Sequence, residues 1–201
     1  MQVPAPMLAT AGPPPDRPDQ WGIEMKWDGM RAICRTASGR TQIFSRARHD
    51  VTRCFPEVAE ALTNLAHGRD LIIDAEIVAP DAASGGAPSF ALLQRRMYLT
   101  RPSAADIRST PLQLIAFDLL SLGNENVMPE PYELRRERLT ALDLASSHIQ
   151  TPPHWLLPAQ TMLDTASTYG PRRSSQQTLS IPLSRWNTIT TMDKNGHQGQ
   201  H

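Results

Sequence analysis

Lysine is almost absent from this sequence. Of 20 basic side chains 18 are arginine, which leaves only Lys26 and Lys194 and makes the setting of each informative. Cysteine is equally scarce: Cys34 and Cys54 form no CxxC pair and have no nearby Cys/His ligand set, which excludes a disulfide framework and a thiolate zinc site. Both are expected to be reduced. The six histidines show no zinc-holding spacing. Apolar runs stay short of the ~20 residues that span a bilayer, and no basic-then-apolar leader opens the chain. A soluble, cytoplasmic chain with no membrane partner is the expectation.

Net charge is absent too, with 20 basic against 20 acidic groups, but the neutrality is a sum of unlike parts. Residues 1–170 hold 16 basic and 19 acidic side chains and 22 alanines; residues 171–201 hold 4 and 1, and no alanine. The two stretches differ in composition. Fourteen of the last 31 residues are Ser, Thr, Gln or Asn and six are Leu, Ile, Met or Trp, too few to bury a core, so 171–201 is expected to be a disordered, non-native tail. At the other end, residues 1–19 are rich in proline, with Pro13, Pro14 and Pro15 in a row, and read as an extended lead-in.

Between these ends the pattern mixes strands and helices, which indicates an α+β fold. Trp21–Lys26, Met30–Arg35 and Thr41–Ser45 read as short strands, with Asp28-Gly29 and Ser38-Gly39 as hairpin turns. Pro56 suits a first helical position, and Val58, Leu62 and Leu65 share a face of the helix that follows. Leu71–Ala79 and Leu112–Leu120 read as buried strands. Pro80–Pro88 is expected to be a loop, and Ser89 to cap a helix Phe90–Met97. Tyr132–Leu144 reads as an amphipathic helix whose charged residues, Arg135 and Arg136 among them, face solvent, and Thr161–Tyr169 as one more helix.

The chemistry lies in the first half. Glu24-Met25-Lys26-Trp27-Asp28-Gly29-Met30-Arg31 places a lysine at a strand end beside a tight turn. A lysine attacks only when neutral, so it needs burial or cationic neighbours to lower a pKa of ~10.4. Arg31 has the planar fork that suits phosphate, and Gly29 permits close approach of a ligand to the backbone. The alternative for this octapeptide alone is a solvated hairpin. Further along, Ser45-Arg46 ends a strand with a second phosphate-seeking arginine, and Asp74 and Glu76 lie on one face of an apolar strand. The carboxylates suit ribose hydroxyls or a cation; a buried ion pair with an arginine is the plainer alternative. Phe117 offers a ring on which a purine stacks, or simply packs in the core.

In this order the residues resemble the nucleotidyltransferase (adenylation) domain of ATP-dependent DNA ligases, most closely the bacterial repair type. The resemblance covers roughly residues 5–170: Pro6-Met7-Leu8-Ala9, Glu24 to Arg31, Ser45-Arg46, Asp74-Ala75-Glu76, Leu93-Gln94-Arg95-Arg96 and Phe117-Asp118-Leu119-Leu120. It implies antiparallel sheets flanked by helices, ATP and Mg²⁺ as cofactors, nicked double-stranded DNA as substrate, and a monomer. It also implies Lys26 as the nucleophile, Glu24 beside adenine, Arg31 and Arg46 near sugar and phosphates, Glu76 at the ribose and Phe117 against the base. Ala75 and Arg48 stand where glycines are usual. A non-catalytic nucleotide- or DNA-binding remnant, and an RNA ligase or capping-type transferase, are the alternatives.

The resemblance also implies two later strands, one with Glu-Gly-apolar-apolar-x-Lys, whose glutamate helps hold Mg²⁺, the other with Trp-apolar-Lys. Neither occurs in residues 171–201. Read one base out of frame, Arg172–Thr178 is able to encode Glu-Gly-Val-Val-Ser-Lys-Arg, and Met192-Asp193-Lys194-Asn195 is able to encode Trp-Ile-Lys. The expectation is an adenylation domain incomplete at its C-terminal end, truncated by a frameshift near Gly170, lacking the following OB-type domain and impaired in activity.

Overall fold

A computed structural model describes residues 3–6, 21–25, 27–152 and 189–193, with backbone alone in 21–25 and 189–193. Lys26, Lys194, most of the proline-rich lead-in and Thr161–Tyr169 therefore lie outside the described residues. The strands are β1 (Trp21–Met25), β2 (Met30–Ala37), β3 (Arg40–Ser45), β4 (Leu71–Val78), β5 (Pro80–Asp81), β6 (Ala87–Pro88), β7 (Gln113–Leu122), β8 (Glu125–Asn126), β9 (Ile149–Gln150) and β10 (Ile189–Asp193). The helices are α1 (Pro56–Leu65), α2 (Phe90–Met97), α3 (Ala104–Ser109) and α4 (Tyr132–Ala141).

The central sheet runs β3-β2-β4-β7-β8, antiparallel throughout, with β9 added parallel to β7. Its middle strand explains the order. β4 reads Leu-Ile-Ile-Asp-Ala-Glu-Ile-Val and is buried at every position but Glu76, as a strand with neighbours on both sides and layers on both faces requires. Leu71, Ile73, Ala75 and Ile77 join one large core with Ala32, Cys34 and Ile43 of the neighbouring strands and with Val58 and Leu62 of α1. On the opposite face Ile33, Ile72 and Leu120 form a small second cluster, against which Val3 packs.

Local signals account for several ends. Ser38 and Gly39 both take positive φ (51° and 71°), the geometry that lets a tight hairpin follow the twist of β2 and β3. Pro56 opens α1 where its missing N–H costs nothing. Ser89 caps α2 by accepting from Leu92 N–H.

Five expectations are corrected. β1 and β2 are not a hairpin, because β1 pairs with β10 while β2 pairs with β3 and β4. The expected loop at 80–88 contains the short β5–β6 pair around a 3₁₀ turn at Ala82–Ser84. A helix not foreseen, α3, is set by a reciprocal Ser103–Asp106 capping box. Arg135 and Arg136 of α4 are buried rather than solvated, since the strand beneath them supplies a carboxylate and a carbonyl. Finally, within the tail expected to be disordered, residues 189–193 form β10, whose Ile189-Thr190-Thr191-Met192 suits a strand and whose backbone pairs with β1; residues 171–188 and 194–201 lie outside the described residues. The cysteines are both free and buried.

Candidate active site

The second face of the sheet is where the polar residues gather. On β4 the residues Ile72, Asp74 and Glu76 alternate away from the main core, and register sets Asp74 opposite Ile33 and Asp118, and Glu76 opposite Arg31 and Ile115. β7 cannot keep strict alternation here. Asp74 pairs with Asp118 but Ala75 pairs with Ala116, so Phe117 is an extra, bulged residue between them. A bulge re-aims side chains, and this one lets the adjacent Phe117 and Asp118 both avoid the core that takes Ala116 and Leu119.

Two carboxylates on paired strands repel, and desolvation makes each costly. Each is therefore matched by an arginine. Arg31 donates from Nε and one Nη to the two oxygens of Asp74 at 2.6 and 2.8 Å. Arg135, reaching from α4, donates to the two oxygens of Asp118 at 2.9 and 2.8 Å and to the carbonyl of Glu130 at 2.6 Å. These are bidentate, charge-assisted contacts of the strong kind. Even so, burial raises the Asp74 carboxyl above its usual range, the two Arg31 contacts work against that, and the charge of Asp118 adds to it.

The expected site residues fall in several places. Arg31 sits with its guanidinium carbon 4.3 Å above the centre of the Phe117 ring, a cation–π stack in addition to its ion pair. Phe117 is 7% exposed, so its immediate stacking partner is this guanidinium. Glu76 is half-buried in the same row. Arg46 is exposed on the turn just after Ser45; because Ser45 pairs with Ala32, Arg46 leaves the sheet level with Arg31 and Glu76. Glu24 lies in β1 opposite Thr190. Arg31, Glu76 and Phe117 are thus brought together with Asp74, and Arg46 stands at the rim.

Gly29 has a different reason from the one its motif suggested. A Cβ there would lie 2.3 Å from the Ile77 carbonyl oxygen, 2.8 Å from Glu76 Cγ and 2.9 Å from Val78 Cγ1. The close approach is made by β4 of the same chain, not by a ligand. It seats the turn that follows Lys26 directly on Glu76. Asp118–Arg135 and the role of Gly29 were missed in the sequence, because neither local spacing nor residue type reveals a partner 17 or 48 positions away. The plainer alternative for the Asp74/Glu76 pair, an ion pair with arginine, describes Asp74.

No group of three or more His, Cys, Asp or Glu side chains suitable for a metal occurs among the described residues. Asp74 and Asp118 are each occupied by an arginine, so the described residues alone do not make a Mg²⁺ site.

Comparison with known proteins identifies the family. The family model described as ATP dependent DNA ligase domain matches residues 6–152. The multifunctional non-homologous end joining protein LigD of Mycolicibacterium smegmatis is 37% identical over 139 residues, covering 69% of this chain and 16% of that protein. A DNA ligase of Haloferax volcanii is 36% identical over 141 residues, covering 68% and 24%. The structure of a mycobacterial DNA ligase D complexed with ATP and MES superposes with a TM-score of 0.70 at 28% identity, over 94% of this chain and 54% of that one. The ligase domain of Mycobacterium tuberculosis LigD gives 0.65 at 25% identity, over 87% and 49%. The chain spans about a quarter or less of these two curated relatives and about half of the two solved chains. With the matched segment extending over most of the described sheet and helices, the chain belongs to the ATP-dependent DNA ligase domain family.

Proposed function

We propose that this chain carries the nucleotide-binding core of a DNA ligase adenylation site in which Lys26 is the nucleophile toward ATP. The observation that carries the reading is the seating of Gly29 on β4, which ties the turn after Lys26 to the face holding Glu76, Arg31 and Phe117. In the reaction the neutral Lys26 amine attacks the α-phosphorus of ATP, the bond to the β-phosphate oxygen breaks, pyrophosphate leaves and the amine gives up a proton. The product is a lysine–AMP phosphoramidate. Its AMP then passes to the 5′-phosphate of a nick, and the 3′-hydroxyl displaces AMP to seal the strand.

The roles are those the resemblance implies: Glu76 accepts from ribose hydroxyls, Arg46 meets a phosphate and Glu24 lies beside the base. The grouping of Glu76 with Arg31, with Arg46 at the rim, supports the first two. Arg31 serves the nucleotide while held by Asp74, a geometry that keeps its fork fixed rather than mobile. A purine reaching the Phe117 face displaces or joins the guanidinium above it. The resemblance implies Mg²⁺, which would neutralise charge on the triphosphate.

Sealing is proposed to be feeble, because residues 171–201 lack both Glu-Gly-apolar-apolar-x-Lys and Trp-apolar-Lys. Electrostatic stabilisation of the kind such groups supply commonly amounts to ~3–4 kcal/mol per donor. We attribute the tail to a frameshift near Gly170; stops in the shifted frame of the gene, or its lack of Glu-Gly-Val-Val-x-Lys, would refute that origin. The catalytic reading is tested by incubating the intact chain with Mg²⁺ and ATP labelled at the α-phosphate. A covalent label that disappears in Lys26→Ala is expected. Reversible ATP binding without label would leave the non-catalytic reading in its place.

A further inference from the structure

Arg135 and Arg136 stand side by side on α4 and are 2% and 1% exposed. The reaction proposed above uses neither. Consecutive residues of a helix point about 100° apart, so a single helix face rarely directs both at one neighbour. Here both side chains reach the same strand, β7, at positions two apart.

What each one holds is specific. Arg136 donates to the carbonyl of Ala116 at 3.4 Å and to the carbonyl of Pro152, which follows β9. Its Nε has no partner, and no carboxylate pairs with it among the described residues. A buried cation without a counter-charge is unfavourable, and an apolar side chain of similar volume would pack there at lower cost. What the arginine adds is a pair of donors joining two carbonyls. Arg135 takes both oxygens of Asp118 at 2.9 and 2.8 Å and anchors its other Nη on the Glu130 carbonyl at 2.6 Å. The gripped positions, 116 and 118, flank Phe117, the extra residue of this bulge.

That position is the one the sheet itself holds least. A bulge interrupts the ladder and leaves its extra residue unpaired, so the ladder fixes Phe117 less firmly than its neighbours. Contacts on both sides supply the constraint. The same grip acts on Arg31. Asp118 lies opposite Asp74, whose two oxygens Arg31 holds, and without Arg135 it would be a second buried carboxylate competing for that guanidinium. The Phe117 ring and the Arg31 guanidinium 4.3 Å above its centre therefore share one support.

We infer that Arg135 and Arg136 are positioning residues: they clamp the β7 bulge from α4, and thereby set Phe117 and the Arg31 stacked on it for the nucleotide. The inference rests on the adenylation reading for its ligand. It gives α4 a task in nucleotide affinity besides its packing on β7.

The test uses the intact chain and two readouts. One is the rate of adenylate labelling against ATP concentration; the other, taken without ATP, is the NMR shift of the Arg31 side-chain protons, which the Phe117 ring moves upfield and Phe117→Leu should abolish. Arg136→Met and Asp118→Leu/Arg135→Met are each expected to lose most of the upfield shift. They should also raise the KM for ATP about three- to tenfold, the worth of one stacking contact, with kcat little changed. Arg136→Lys, which keeps a donor for one carbonyl, should recover part of both and carries the test if Arg136→Met does not fold. Arg138→Gln, at the exposed pairs with Glu125 and Glu130 on the same helix, is the control and should alter neither. Folded variants that keep the shift and the KM, a fall in kcat at unchanged KM, or equal effects in Arg138→Gln would overturn the clamp. A parent chain that forms no label would remove the proposed chemistry, and the Arg31 shift would still decide the clamp.

Discussion

The two faces of the central sheet are built from the same strands by opposite means. Toward α1, β4 sends Leu71, Ile73, Ala75 and Ile77 into an apolar core where nothing but shape needs matching. Toward the other side it sends Asp74 and Glu76, and the neighbouring strands add Arg31, Phe117 and Asp118. The first face is stabilised by removing apolar surface from water, a non-directional effect. The second relies on bidentate contacts that must be complete, because a buried charge without its partner costs several kcal/mol. A domain of this size affords one such face where chemistry requires it, and the other face makes it possible.

Breaking the polar face should have the largest effect. Arg135→Ala leaves Asp118 buried and unpaired and is expected to cost about 3–5 kcal/mol in urea unfolding, whereas Asp118→Leu/Arg135→Met together should recover much of it. If the double variant is no better than the single, the pair does more than neutralise itself. On the apolar face, Ile73→Ala should cost about 2–5 kcal/mol without selective loss of ATP labelling. Where the two faces meet the motif, Gly29→Ala forces a Cβ against the Ile77 carbonyl and should cost about 1–3 kcal/mol while reducing the adenylate label more than the lost stability explains.

Smaller effects are expected at the edges. Arg48 holds φ at +64° in a turn, a left-handed conformation that costs a side-chain-bearing residue roughly 1–2 kcal/mol, so Arg48→Gly should stabilise the fold by up to about 1 kcal/mol, seen as a higher urea midpoint. The mildest effect concerns pH. Hydrogen bonds from the Ser103 hydroxyl and N–H hold the exposed Asp106 carboxyl below its ordinary 3.8, so its contribution is present above that value and disappears as pH falls through the lowered one. Asp74, raised by burial, has the opposite sign and loses stability as pH rises through its own value. Acid unfolding of Asp106→Asn should be less steep below pH 4 than that of the parent chain.

Much of the fold was legible locally. The apolar run of β4, the Ser38-Gly39 turn, Pro56 at the start of α1 and Ser89 before α2 each encode their element in a few neighbouring residues, and all four are found. Of the residues singled out in the sequence, Arg31, Glu76 and Phe117 share one region. What misled were signals with two meanings. Asp28-Gly29 looks like a hairpin turn because glycine suits turns, yet here it answers to steric contact with β4. Arg135 and Arg136 look solvated because charge usually is, yet α4 lies over β7 and their guanidinium groups find Asp118 and the carbonyls of Ala116 and Pro152.

The sequence by itself determined the strand and helix signals, the family resemblance with its candidate residues in order, and the compositional boundary before the tail, because composition, spacing and motif are properties of the chain. Only the tertiary structure decided which charges are spent on one another. Arginine at position 95 and arginine at position 96 are the same residue in sequence; one is exposed and the other is buried on Glu57, and only packing across 39 positions distinguishes them. Ion pairs form across strands and helices, so their assignment waits on distances that no linear pattern contains.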